Sequence, residues 1–244
     1  MIRGVIFDLG DTLVSQQPLA GGDSNLGGAA AILPLIQEFS GGSPSAEVLA
    51  AAIGEKLHAA IVASYESSYS QPDAEVLFHE VLDELDCSLP PERAPAILDN
   101  YFRGHYECMV PLAYVIDTLK LAKQMALNLG ILANVLWGPE ILRDRLRKVG
   151  IAGLMSCVVF SCEIGRMKPY PGAYREVLRR MDLHASEVVM VGDDPIVDVI
   201  GAQRAGLKAI WKRSDPNQAP PKEAKPNQSI EDIRQLLPAV AELM

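Results

Sequence analysis

The chain opens with a short unbroken apolar run, Gly4-Val5-Ile6-Phe7, which ends in the polar turn Asp8-Leu9-Gly10-Asp11. A run of that length without alternation is the pattern of a strand buried on both faces. Beyond the glycine-rich stretch 21–28 the period changes, and residues 29–39 read as a helix. Leu49, Ile53, Leu57, Ile61 and Tyr65 then recur at every fourth place, with Ser43-Pro44 positioned as cap and first turn. Phe78, Val81, Leu82 and Leu85 give another helical face after Asp73. Ile97, Leu98, Tyr101 and Phe102 give a further one after Pro90-Pro91. Four helical segments in succession, with no strand pattern between them, predict a separate helical unit.

After Pro111 helical and strand patterns alternate. Leu112, Val115, Leu119 and Ala122 predict a helix, and residues 127–132 a strand. Leu142, Leu146 and Val149 predict a helix closed by Gly150, and 157–160 a strand. Tyr174, Val177, Leu178 and Met181 predict a helix, 188–191 a strand, 199–205 a helix closed by Gly206, and 208–211 a strand. The Pro-rich stretch 214–228 reads as a surface loop, and 230–244 as a terminal helix. This alternation predicts an α/β fold: a doubly wound, Rossmann-like parallel sheet covered on both faces, with a helical bundle inserted. The expected division is 1–14 and 107–244 for the α/β core and 15–106 for the insert. Ligands bind such sheets at the carboxyl ends of the strands. Asp8, Ala133-Asn134, the stretch before Lys168, and Asp193-Asp194 all fall at such ends.

Charge narrows the range of partners. A net charge of −9 argues against nucleic acid or an anionic membrane, yet leaves room for a small anionic substrate at a locally positive site. The longest apolar stretch, around Met125 to Trp137, is interrupted by Asn128, Gly130 and Asn134 and is too short to span a bilayer. The N-terminus shows no signal-peptide pattern. Cys87, Cys108, Cys157 and Cys162 have neither CxxC nor zinc spacing, so they are expected to be free thiols of a cytoplasmic protein.

The polar residues at the strand ends form a set with one chemical use. Asp8, one residue past a buried strand, can attack phosphorus and form an acyl phosphate, dividing one hard step into two. The charge on the transferred group has to be balanced by a cation and by fixed donors. Asp193, Asp194 and Asp198 supply hard oxygen ligands suited to Mg²⁺, and Lys168 supplies a point charge able to bridge nucleophile and phosphate. His105 continues the series Leu98, Tyr101, Phe102; a histidine of the insert could face substrate, and it is read here as a packed or solvated side chain.

Three segments carry a resemblance. FDLGDTL, GRMKPYPGAY and VGDDPIVDVIGAQRAGL, in that order and spacing, resemble the first, third and fourth motifs of the haloacid dehalogenase superfamily, across residues 2 to about 212. The helical insert resembles that family's mobile C1 cap. The resemblance implies a magnesium-dependent hydrolase in which Asp8 is nucleophile and metal ligand and the Gly10 carbonyl a second ligand. Asp193 is then a third ligand, Asp194 and Asp198 hold the metal or its waters, and Lys168 holds Asp8 and the phosphate. The expected substrate is a small phosphorylated metabolite. Two positions depart from the pattern. The family's phosphatases carry a proton-donating Asp where this chain has Gly10, with Asp11 one place later, either as a substitute acid or as a solvated loop carboxylate. The second-motif strand usually ends in Ser or Thr but here ends in Ala133, leaving Asn134 to bind substrate. These departures support an alternative, a catalytically weakened binding protein. A 2-haloacid dehalogenase is a further alternative, disfavoured by the carboxylate-rich fourth motif.

Overall fold

The computed structural model of the protein describes residues 1–15, 24–38, 44–87, 89–213 and 219–244. The chain forms two compact units. One comprises Met1–Ser15, Pro111–Val135 and Leu146–Met244, and the other Gln16–Val110 and Leu136–Arg145.

The first unit is built on a six-stranded parallel sheet. In chain order its strands are β1 (Gly4–Phe7), β4 (Asn128–Ala133), β5 (Cys157–Phe160), β6 (Val188–Gly192), β7 (Lys208–Lys212) and β8 (Gln228–Ile230). Two-residue strands β2 (Val14–Ser15) and β3 (Val110–Pro111) form a small second sheet. The order in the large sheet is β5-β4-β1-β6-β7-β8, so the chain winds outward from β1 in both directions, as the alternation predicts. Phe7 is in register with Ile131 on one side and Val191 on the other, which brings the carboxyl ends of β4, β1 and β6 together. Side chains alternate across a strand. Ile6, Leu132, Val159, Met190 and Trp211 accordingly share one face with Tyr174, Val177 and Met181 of the helix Pro171–Met181. Their neighbours Val5, Phe7, Ile131, Val191 and Ile210 are equally buried. Burial on both faces is why these strands read as continuous apolar runs.

The C-terminal region differs from the expectation. Residues 228–230 form a sixth strand, followed by a 3₁₀ turn, Ile233–Gln235, and a short helix, Leu236–Ala241. Residues 214–218 of the predicted loop lie outside the described residues. A three-residue strand shows no period, and its pairing is secured from outside: Asn227 Oδ1 accepts from the Ala209 amide at 2.9 Å while its own amide donates to the Ala209 carbonyl at 2.8 Å.

The second unit contains α1 (Ser24–Gln37), α2 (Ala46–Glu66), α3 (Ala74–Glu84) and α4 (Ala94–Glu107). α1 starts at Ser24, inside the stretch read as a glycine-rich loop. Its glycines serve close helix packing: a Cβ on Gly28 would stand 2.7 Å from the Tyr101 ring, and one on Gly104 would stand 2.5 Å from the Gly27 carbonyl. The cap of α2 is Ser45, whose side chain accepts from the Val48 amide at 3.3 Å; Ser43 lies outside the described residues. Leu49, Ile53 and Leu57 of α2 are buried, whereas Tyr65 is exposed. Each four-residue step overshoots a full helical turn by about 40°, so the fourth step has left the buried face and Ser64 takes that place. The segment 136–145, placed with the core by the sequence pattern, packs here with the helices. Trp137 Nε1 donates to Asp99 at 2.8 Å, and the Tyr106 hydroxyl donates to the Trp137 carbonyl at 2.6 Å. His105 is packed among Tyr101, Phe102 and Tyr106. Among the described residues, no helix is long and apolar enough to cross a membrane.

Candidate active site

Asp8 stands immediately beyond β1, where its amide donates to the Val191 carbonyl of β6 at 2.9 Å. The chain then turns back sharply: the amides of Leu13 and Val14 both donate to the Leu9 carbonyl, and the Asp11 amide donates to the Val14 carbonyl at 2.7 Å. This turn places Asp11 in the left-handed region at φ 51°. Aspartate tolerates that conformation better than most residues.

Three carboxylates meet at the strand ends. One oxygen from each of Asp8, Asp193 and Asp198 lies within 4.8 Å of the others. Lys168, only 1% exposed, reaches into the group, its Nζ donating to Asp8 at 2.6 Å and to Asp198 at 2.8 Å. Asp193 is steadied by the buried Thr12, whose hydroxyl donates to its Oδ1 at 3.2 Å. The Asp194 amide donates to Asp198 Oδ2 at 3.1 Å.

Two like charges this close repel by roughly 3–4 kcal/mol at an effective dielectric constant near 20, and the carboxyl groups register it. Burial, then the charge of Asp8, pushes Asp193 up to about 6. Burial likewise raises Asp198, against the opposing pull of Lys168. Burial alone would lower the Lys168 amine, but the carboxylates of Asp198 and Asp8 outweigh it and hold it raised, so it stays an ammonium. Three carboxylates against one ammonium leave two negative charges. Hard oxygen donors with that surplus fit a divalent cation of the Mg²⁺ kind.

Other residues singled out in the sequence have different partners. Asp194 lies outside the three-carboxylate group, and its Oδ1 accepts from the amides of Ile196 at 2.7 Å and Val197 at 2.8 Å. It thereby caps the π-helical turn Pro195–Ile200 that carries Asp198. Asp11 is exposed and also outside the group. Asn134 turns its side-chain amide to the main chain of Lys168 rather than outward, with Nδ2 donating to the carbonyl and Oδ1 accepting from the amide.

Sequence reasoning passed over four supporting residues. The Ser161 hydroxyl, past β5, accepts from the Val135 amide at 2.9 Å and donates to the Val135 carbonyl at 3.1 Å. The Tyr174 hydroxyl donates to the Val197 carbonyl within the π-helical turn. Thr12 and Lys212 are the other two. Ser161 and Lys212 had a legible signal, a polar residue at or just past a strand's carboxyl end. Tyr174 read only as one more apolar position of a helix.

Known proteins resemble this chain along most of its length. A family model described as haloacid dehalogenase-like hydrolase matches residues 2–206. A phosphoserine phosphatase of Thermus thermophilus is 32% identical over 200 residues, covering 79% of this chain and 78% of that protein. A glyceraldehyde 3-phosphate phosphatase of Methanopyrus kandleri is 28% identical, covering 100% and 99%. Among solved structures, a 2-haloacid dehalogenase from Pseudomonas syringae superposes with a TM-score of 0.74 at 25% identity over the whole of both chains.

Proposed function

The chain belongs to the haloacid dehalogenase-like hydrolases, and from that premise we propose that it hydrolyses phosphate monoesters of small metabolites through an aspartyl phosphate on Asp8. The observation that carries the reading is the Lys168 ammonium held between Asp8 and Asp198 while Asp193 completes a three-carboxylate group. Phosphatase-named relatives at 32% and 28% identity support the substrate class.

In this reading an Asp8 carboxylate oxygen attacks phosphorus, the bond from phosphorus to the ester oxygen breaks, and the ester oxygen departs as an anion that takes a proton from water. Water then attacks the acyl phosphate, releasing inorganic phosphate and restoring the Asp8 carboxylate. Lys168 holds the Asp8 carboxylate by its hydrogen bond and offsets charge on the phosphoryl oxygens. Asp8, Asp193 and the Gly10 carbonyl would hold Mg²⁺ directly, with Asp198 behind them; when bound, Mg²⁺ supplies positive charge to the transferred group. Asp194 serves here through the turn that it caps. The helical insert, spanning 15–106 by the sequence pattern, acts as the lid, with hinges near residues 13–15 and 107–111.

The 2-haloacid dehalogenase likeness gives a second reading, in which Asp8 displaces halide from carbon. That displacement requires no cation, and a site built for it has no use for a cluster holding two surplus negative charges. Assay of phosphorylated metabolites with Mg²⁺, beside 2-haloacids and an Asp8→Asn control, decides between them. Phosphate release that Asp8→Asn abolishes, and trapping of phosphate on Asp8, support the proposal. Halide release, or ligand binding without turnover of either class, overturns it.

A further inference from the structure

The last two residues of β7 reach the two acid-bearing segments from neighbouring positions. Trp211 Nε1 donates to the Asp193 carbonyl at 2.8 Å, and Lys212 Nζ donates to the Asp11 carbonyl at 2.7 Å. Successive strand residues point to opposite faces. Trp211 lies in the core cluster with Tyr174 and Val177, and Lys212 grips the Asp8 turn from the other side. Lys212 is 9% exposed. Burying an ammonium is costly, and here the Asp11 carbonyl and the charge of Asp232 offset that cost.

The turn it grips is the one on which the site depends. The Asp11 peptide lies between the Gly10 carbonyl, a metal ligand in the reading above, and Thr12, whose hydroxyl holds Asp193. Asp11 is in the left-handed region, its amide tied to Val14 and its carbonyl to Lys212. Release of that carbonyl frees the peptide to rotate, taking the Gly10 carbonyl and the Thr12 hydroxyl with it.

We infer that Lys212 is a positioning residue which orders the 9–12 turn for cation binding. The inference rests on reading Asp8, Asp193 and Asp198 as a cation site. It is tested with Mn²⁺ on the full chain, following free Mn²⁺ by electron paramagnetic resonance, so that no turnover is needed. Lys212→Met is expected to weaken Mn²⁺ binding by roughly 10-fold, the usual effect of removing a group that orients metal ligands. Lys212→Arg, which keeps charge and donor, is expected to recover most of that loss. If Lys212→Met does not fold, Lys212→Gln, a neutral donor of shorter reach, replaces it with the same expectation. Wild-type protein that takes up no Mn²⁺ overturns the cation-site reading and this inference with it. Wild-type protein that binds while the neutral variant binds equally well overturns the role of Lys212 alone. A loss that Lys212→Arg leaves unrecovered marks the side chain as packing and also overturns it.

Discussion

Asn134 holds the main chain of Lys168 from both sides, donating through Nδ2 to its carbonyl at 3.0 Å and accepting through Oδ1 from its amide at 2.7 Å. The side chain thus imitates a segment of neighbouring strand, and its target carries the ammonium that bonds Asp8 and Asp198. Asn134→Ala should lower kcat by roughly 10- to 100-fold with a smaller change in KM, because misplacing a charged group by about 1 Å costs up to about 100-fold. It should also cost about 1–3 kcal/mol of stability for the two lost bonds. Steady-state kinetics with a denaturant titration checks both. A rise in KM alone would make Asn134 the substrate ligand that the sequence suggests.

Lys168→Met tests the cluster as a stability element. Asp198, 1% exposed, would be left buried beside two other carboxylates, and an ion pair broken from one side costs roughly 3–5 kcal/mol. Adding Asp198→Asn should return much of that loss. Urea unfolding of the single and double variants measures it. A single variant within about 1 kcal/mol of wild type, the size expected of an exposed pair, would show that the pair is hydrated.

The sheet was legible because its strands are buried on both faces, so that Val5, Ile6 and Phe7 read as one apolar run. Asp8 and Asp193 were legible as carboxylates just past or beside strand ends, and Lys168 through the motif that carries it. Asn134 was read as a substrate ligand, and its bonds to the Lys168 main chain were hidden, since a side chain that bonds a main chain leaves no trace in residue type. The same limit hid Asp194 as a cap, and Gly27 and Gly28, where glycine meant close contact and not a loop. Lys212 lies 201 positions from the residue it holds, a separation that no local pattern bridges.

The carboxylate cluster makes stability depend on both pH and cation. Asp193 is raised from 3.8 to about 6, and Asp198 is raised as well, so the metal-free folded state holds protons that the unfolded chain has released. Stability from these groups is therefore present at low pH and falls as pH rises from about 4 through about 6. A bound cation reverses this, because it needs the carboxylates ionised. Melting temperature measured with and without excess Mg²⁺ should show a small increment near pH 5 and a clearly larger one near pH 8. An increment independent of pH would place the ion elsewhere.

The absent proton donor leads to a prediction about leaving groups. By the family resemblance, Gly10 stands where related phosphatases carry a proton-donating Asp. Asp11, next along, is exposed, outside the cluster, and fixed through its amide and carbonyl by Val14 and Lys212. With no donor the oxygen leaves as an anion, so the rate should fall steeply as leaving-group pKa rises. Aryl and acyl phosphates should turn over roughly 100-fold or more faster than alkyl phosphates, the range that a general acid contributes. Gly10→Asp should flatten this dependence, and Asp11→Asn should leave it unchanged. The check is a series of aryl and alkyl phosphates on wild type and both variants. If wild type hydrolyses alkyl and aryl esters alike, and Asp11→Asn removes only the alkyl activity, then Asp11 is the general acid. The left-handed turn at residue 11 would then be the device that brings an acid one place out of register back to the leaving oxygen.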